Sequence, residues 1–234
     1  MIMKATDSNS LYLMHCDISS MESVDRFSRE FCNRFTCLHV LINNAGAAFS
    51  KRKETEEGFE KTIATNYLGM FKLTHNLLPM LKKRTPSRII NLGSGMHKTG
   101  KIDWDDFTFK NKYKSMHVYA TSKLMVTAFT YALVERINGT SVTANVVEPG
   151  FVATNLGANM GSLRDRISFT IVRPIQISAE RGAETSLWAA TDPSLENVSG
   201  KTFAKKIETE TAPITYDKEF QDRLWEKTVK LLMI

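Results

Sequence analysis

Three apolar stretches of this chain end in the same way. "LHVLINNAG" (38–46), "SRIINLGSG" (87–95) and "TSVTANVVEPG" (140–150) each run through β-branched or large apolar residues and stop at a glycine turn. Longer segments of helical period separate them. Consecutive parallel strands need a crossover long enough to hold a helix, so this alternation points to a parallel sheet. The stretches show no strict polar alternation, as expected when helices bury both faces. The expected fold is α/β, a doubly wound parallel sheet.

The remaining segments fit that scheme. "SLYLMHCDIS" (10–19) reads as a strand ending in an acid, after which Ser20 caps a helix carrying Val24, Phe27, Phe31 and Phe35 at three- and four-residue spacing. Residues 55–83 read as a helix with Phe59, Ile63, Tyr67, Met70, Phe71, Thr74, Leu78 and Leu81 near one stripe. A polar loop of about 20 residues follows residue 95, long enough to suggest a functional loop. A helix then spans about His117 to Ile137, closed by Asn138-Gly139. Residues 178–191 read as a helix, 200–207 as a final strand, and 216–232 as a C-terminal helix burying Phe220, Leu224, Val229 and Leu231. With no repeat or low-complexity linker, residues 1–234 are expected to form one domain.

Composition excludes several classes. The charge of +6 comes from 31 basic residues interspersed among 25 acidic ones, without the clustering and interleaved aromatics of a nucleic-acid surface. Lys82, Lys83 and Arg84 end a helical segment, where cations complement the helix dipole. Cys16, Cys32 and Cys37 lack metal-like or disulfide-framework spacing and read as reduced thiols, with no metal site expected. No stretch reaches the roughly 18 apolar residues of a membrane span, and the start has no signal pattern, so the chain as given reads as soluble and cytoplasmic.

In open parallel sheets, reactive groups collect beyond the carboxyl ends of the strands. Those ends supply Asp17, Asn43-Asn44-Ala45-Gly46, Gly93-Ser94-Gly95 and Glu148-Pro149-Gly150, with "YATSK" (119–123) opening the following helix. Tyr119 and Lys123 share a helix face at i and i+4. A nearby ammonium favours the phenolate, so Lys123 is expected to lower the Tyr119 pKa by about 2 to 3 units, which asks for about 3 to 4 kcal/mol. Tyr119 could then exchange a proton with a substrate oxygen. Ser94 could hydrogen-bond that oxygen. Taken singly, each has a plainer reading: Ser94 a turn residue, Asn66 a solvated amide, Lys123 a surface lysine, Asp17 a cap.

Taken in order, Asp17, Asn43 to Gly46, Asn66, Ser94, Tyr119-x-x-x-Lys123 and Pro149-Gly150-x-Val152-x-Thr154 resemble the short-chain dehydrogenase/reductase family, from Leu11 onward. "LINNAG", "RIINLGSGMHKTGKI" and the 25 positions from Ser94 to Tyr119 are most similar to its retinol-dehydrogenase-like branch. The resemblance implies a Rossmann-like fold and an NAD(P)-dependent oxidoreductase interconverting a carbonyl and an alcohol. In it Tyr119 is the general acid/base, Lys123 and Asn66 form a proton relay, and Ser94 holds the substrate oxygen. Asp17 would contact adenine, Asn43, Ala45 and Gly46 would pass close to a ribose together with Tyr119 and Lys123, and Pro149, Gly150, Val152 and Thr154 would lie near the nicotinamide.

The family opens with a strand, a TGxxxGxG turn, a helix and a second strand, and no glycine precedes Gly46 here. The sequence therefore implies that the first βαβ unit is lacking, with it the phosphate turn and the segment that chooses between NAD and NADP. An apolar strand such as 38–46 would then expose an unpaired edge. Two readings follow: an oxidoreductase acting on a small-molecule carbonyl or alcohol, or a catalytically silent, truncated paralogue that binds a partner. Leu156, Met160, Leu163, Ile167, Phe169, Ile171 and Val172 form either a lid over an apolar substrate or a face that docks the lid on the core. The resemblance also implies a possible homodimer through the tyrosine helix.

Overall fold

The computed structural model describes residues 10–83, 86–150 and 177–234. Within them a five-stranded sheet runs β1 (Val40–Asn43), β2 (Ser87–Leu92), β3 (Val142–Glu148), β4 (Thr202–Ala204) and β5 (Ile207–Glu208), in that spatial order. The first four are parallel, with Val40 opposite Arg88, Ser87 opposite Val142 and Val146 opposite Thr202. All of β2 and nearly all of β3 are buried, which explains their unbroken apolar character.

The pleat sends alternate residues to two cores. Ile89 and Ala144 join Tyr67, Phe71, Phe129 and Leu133 on one side, while Ile90, Leu92 and Val147 join Ala189, Ala190 and Phe203 on the other. The first core lies under α2 and α3. Helix α2 (residues 61–82) is built from Lys61–Ile63, a π-helical turn Ala64–Leu68 and Gly69–Lys82, and α3 is Ser115–Arg136. The second lies under α4 (Ala179–Thr191). Helices on both faces give the α/β architecture expected.

Every residue of α3 from Val118 to Leu133 is buried, between the sheet and the C-terminal helix α5 (Lys218–Leu232). Trp225 of α5 stacks on Phe129 at 5.7 Å, and the Tyr67 phenol shares a 2.7 Å hydrogen bond with the Thr228 hydroxyl. A polar chain crosses the same core. The Asn43 amide donates to the Thr74 hydroxyl and to Asn91 Oδ1, and the Asn91 amide donates to the Thr130 hydroxyl. These four buried groups satisfy one another, as burial demands.

Three expectations need correction. Residues 10–19 do not form a strand: a strand needs a ladder partner, and on its other side β1 has none among the described residues. Leu13 is 100% exposed, Ile42 of the β1 edge is 39% exposed, and Tyr12 leans edge-on against Phe35 of the segment after α1 (Met21–Arg34). The helix proposed from residue 55 starts at Lys61, because Gly58 adopts φ +81° and Glu60 caps the Ile63 N–H at 2.8 Å. The strand proposed over 200–207 folds back on itself. Lys205 and Lys206 both adopt positive φ, the geometry of a tight hairpin turn, so Ile207–Glu208 pairs antiparallel with β4.

Helix α1 begins as expected at Ser20, whose hydroxyl accepts the Ser23 N–H. The turn before it presses on α2 at Gly69, where a Cβ would fall 1.8 Å from the Ile18 carbonyl oxygen. No helix among the described residues is long and apolar enough to cross a membrane. Phe129→Ala is expected to cost about 3 to 5 kcal/mol by opening a cavity among Tyr67, Phe71 and Trp225. Leu13→Ser should stay within about 0.5 kcal/mol of wild type; urea denaturation of both variants checks the pair.

Candidate active site

Helix α3 begins after an extended Lys114 and carries Tyr119 and Lys123 one turn apart, both buried. Lys123 is only 5% exposed, and its Nζ donates to the Leu92 carbonyl at the end of β2, 2.7 Å away. Burial pulls its pKa down to about 8. An ammonium has three donors, and this contact uses one.

The Tyr119 ring packs on Ala48 and Met96 and lies 5.9 Å from Lys123 Nζ, measured to its centroid. Burial raises the phenol pKa, and a hydrogen bond with the Ser94 side chain opposes the rise. The sequence led us to expect a lowered phenol. The structure gives the opposite sign because desolvation outweighs the help available and Lys123 directs its proton at Leu92 rather than at the phenol.

Asn66 sits within the π-helical turn of α2, a distortion frequent at functional sites. Its Oδ1 accepts the Ala47 N–H at 2.7 Å, while its amide donates to the Ala47 carbonyl and to the Ser122 hydroxyl. Ser122 in turn donates to the Tyr119 carbonyl. Asn66 thus ties the loop after β1 to the tyrosine helix, a clamp that "YATSK" contained in Ser122 without announcing it. Gly46 lies between the two groups: a Cβ there would be 3.6 Å from Asn66 Oδ1 and 3.7 Å from Lys123 Nζ.

The fold therefore brings Tyr119, Lys123, Asn66, Ser94 and Gly46 together. Ala45 and Gly46 are exposed at the mouth, whereas the Asn43 side chain is committed to Thr74 and Asn91 and leaves only its backbone for a ligand. Pro149 and Gly150 follow β3, with Gly150 at φ +84°. Asp17 is exposed, and its carboxylate accepts the Ser19 N–H and hydroxyl, which hold its pKa below the usual carboxylate range. It serves as a turn cap. Val152, Thr154 and the apolar residues 156–172 lie outside the described residues.

Two neighbours of Ser94, one buried and one partly buried, carried no role in the sequence reading. His97 stands three residues after it, and Glu148 ends β3 immediately before Pro149. The available signal was an acid closing an otherwise apolar strand.

The geometry can be weighed against a nicotinamide cofactor. A buried ammonium with one acceptor among the described residues suits a group rich in hydroxyls, and the exposed Ala45-Gly46 turn beside it lets such a group approach. Tyr119 and Ser94 could face a substrate oxygen.

The short chain dehydrogenase profile matches residues 2–164. The chain is 38% identical over 218 residues to retinol dehydrogenase 14 of Mus musculus, covering 92% of this chain and 65% of that protein. It is 34% identical over 236 residues to the polyprenol dehydrogenase of Homo sapiens, covering 98% and 72%. Among solved structures, an uncharacterized protein from Mycobacterium paratuberculosis superposes with a TM-score of 0.77 at 25% identity, over 98% of this chain and 78% of that one. A serine dehydrogenase complexed with NADP+ shares the fold with a TM-score of 0.65 at 24% identity, over 91% and 82%. The chain thus spans 65% of the length of the retinol dehydrogenase it matches.

The depressed Lys123 pKa gives a signed pH dependence. Between about 8 and 10.5 the unfolded lysine binds a proton that the folded one has lost, so this site raises stability as pH rises through that window. Relative to Lys123→Met, wild type should gain up to about 3 kcal/mol between pH 8 and 10.5. Denaturation midpoints of both proteins across that range test this; a constant difference would contradict it.

Proposed function

From the premise that the chain belongs to the short-chain dehydrogenase family, we propose that it is an NAD(P)-dependent oxidoreductase that interconverts a carbonyl and an alcohol, with Tyr119 as general acid/base. The observation that carries this reading is the convergence of a buried phenol, a buried ammonium and a strand-end serine at the carboxyl end of β2. When bound, a reduced nicotinamide would supply the hydride. Lys123, Asn43 to Gly46, Pro149 and Gly150 would hold it, with Val152 and Thr154 as further contacts.

The residues of this chain divide the remaining work. Ser94 donates to the carbonyl oxygen and orients it, and Tyr119 delivers its proton to that oxygen as the alcohol forms. A phenol whose pKa is raised by burial stays protonated at neutral pH, which suits reduction of a carbonyl. The Lys123 ammonium then stabilises the phenolate left behind. Asn66 fixes Ala47 and, through Ser122, the helix carrying Tyr119. The names of the relatives, retinol and polyprenol dehydrogenases, favour an apolar alcohol or its aldehyde as substrate.

Because α3 is buried under α5, a homodimer would use a face other than the tyrosine helix. The competing reading, a catalytically silent binding protein, is favoured by Asp17, whose carboxylate is spent on a turn.

Titration of the purified chain with NADH and with NADPH, followed by nicotinamide fluorescence, separates the two. The oxidoreductase reading predicts saturable binding of at least one. It also predicts a loss of roughly 100- to 10,000-fold in aldehyde reduction for Tyr119→Phe, with cofactor binding retained. A folded chain that binds neither cofactor would sink it.

A further inference from the structure

The Ser94 carbonyl is held from behind by a fully buried imidazole. His97 Nδ1 lies 2.8 Å from the Ser94 carbonyl oxygen and 2.9 Å from Glu148 Oε1, while His97 Nε2 accepts the Ala212 N–H at 3.0 Å. A backbone amide can only donate, so Nε2 carries the lone pair and the ring proton resides on Nδ1. The ring is therefore neutral, and its single N–H donates to the Ser94 carbonyl, with the Glu148 carboxylate packed against the same nitrogen at 2.9 Å.

The three partners belong to three separate parts of the chain. Ser94 follows β2, Glu148 closes β3, and Ala212 precedes the short turn Pro213–Tyr216 that leads into α5. The Glu148 side chain is 11% exposed. Its Oε2 faces Gly95, where a Cβ would lie 3.6 Å away, and at Gly93 a Cβ would collide with Val146 Cγ1 at 2.6 Å. The glycines on either side of Ser94 thus let the end of β2 press against the end of β3, and His97 with Glu148 closes that junction.

We propose that His97 and Glu148 are positioning residues for Ser94, an inference that rests on the oxidoreductase reading of the cleft. A serine flanked by two glycines has little backbone restraint of its own. Anchoring its carbonyl through the His97 Nδ1–H, a tautomer the adjacent Glu148 carboxylate favours, fixes the direction of its hydroxyl toward Tyr119. The Met96 N–H donates to that hydroxyl at 3.3 Å and completes the turn. Misplacing such a group by about 1 Å costs roughly 100-fold in rate.

The test uses the full chain with two substitutions at Glu148. Glu148→Leu removes the acceptor, and Glu148→Gln restores a neutral one. Long-range proton–nitrogen correlation spectra of the histidine rings, recorded without cofactor or substrate and assigned with His97→Asn, should show His97 neutral and protonated on Nδ1. Amide exchange at Gly95, Met96 and His97 should quicken about 10-fold or more in Glu148→Leu and remain within about 3-fold of wild type in Glu148→Gln. In NADH- or NADPH-dependent aldehyde reduction, kcat should fall roughly 10- to 100-fold in Glu148→Leu with KM for the aldehyde within about 2-fold, and recover substantially in Glu148→Gln. A proton on Nε2, or unchanged exchange in Glu148→Leu, would overturn the proposal, as would an unchanged kcat. If the wild-type chain transfers no hydride, the oxidoreductase reading fails, and the ring and exchange measurements alone decide whether His97 and Glu148 anchor Ser94.

Discussion

The hydrogen bond from the Lys123 ammonium to the Leu92 carbonyl joins the tyrosine helix to the end of β2, and the site depends on it. A buried cation is expensive, and here no carboxylate among the described residues neutralises it. Its pKa near 8 is the measure of that expense. The fold tolerates the charge because α3 cannot move away: every residue from Val118 to Leu133 is enclosed by the sheet, α2 and α5. The aromatic packing of Phe71, Phe129 and Trp225 thus holds in place a lysine that would otherwise turn toward solvent.

Around this fixed charge the remaining groups are set by backbone devices. The π-helical turn places Asn66 so that both faces of its amide are used, and the Ala47 clamp keeps the Ala45-Gly46 turn at the mouth. The buried chain Thr74, Asn43, Asn91 and Thr130 does the same for the sheet itself, tying α2, β1, β2 and α3 through side chains alone. Such polar groups in a core favour one arrangement over its neighbours, since any slip leaves a buried donor unmet. The cleft therefore trades stability for geometry, a pattern common where a strained or charged group is used in chemistry.

Much of this was legible in the sequence, and the failures have physical causes. β2 and β3 announced themselves as continuous apolar runs because both faces are covered, and the helix cap at Ser20 followed from local hydrogen bonding. Tyr119, Lys123, Ser94 and Asn66 were proposed from their order along the chain, and the fold sets them beside one another. The segment 10–19 had the composition of a strand, but pairing is a property of neighbours and not of composition. The tyrosine pKa was misjudged because helical spacing gives proximity and says nothing of burial, and here burial dominates. His97 and Glu148 were missed because their significance lies in contacts between residues 51 positions apart, and that of Asn43 in contacts that cross three elements.

The buried Lys123 ammonium holds the site together, and its titration can be observed directly. In protein carrying carbon-13 at the lysine side chains, with Lys123→Met supplying the assignment, the Lys123 Cε resonance should titrate with a midpoint near 8. A midpoint at the ordinary lysine value of about 10.4 would show a solvated side chain and contradict the account.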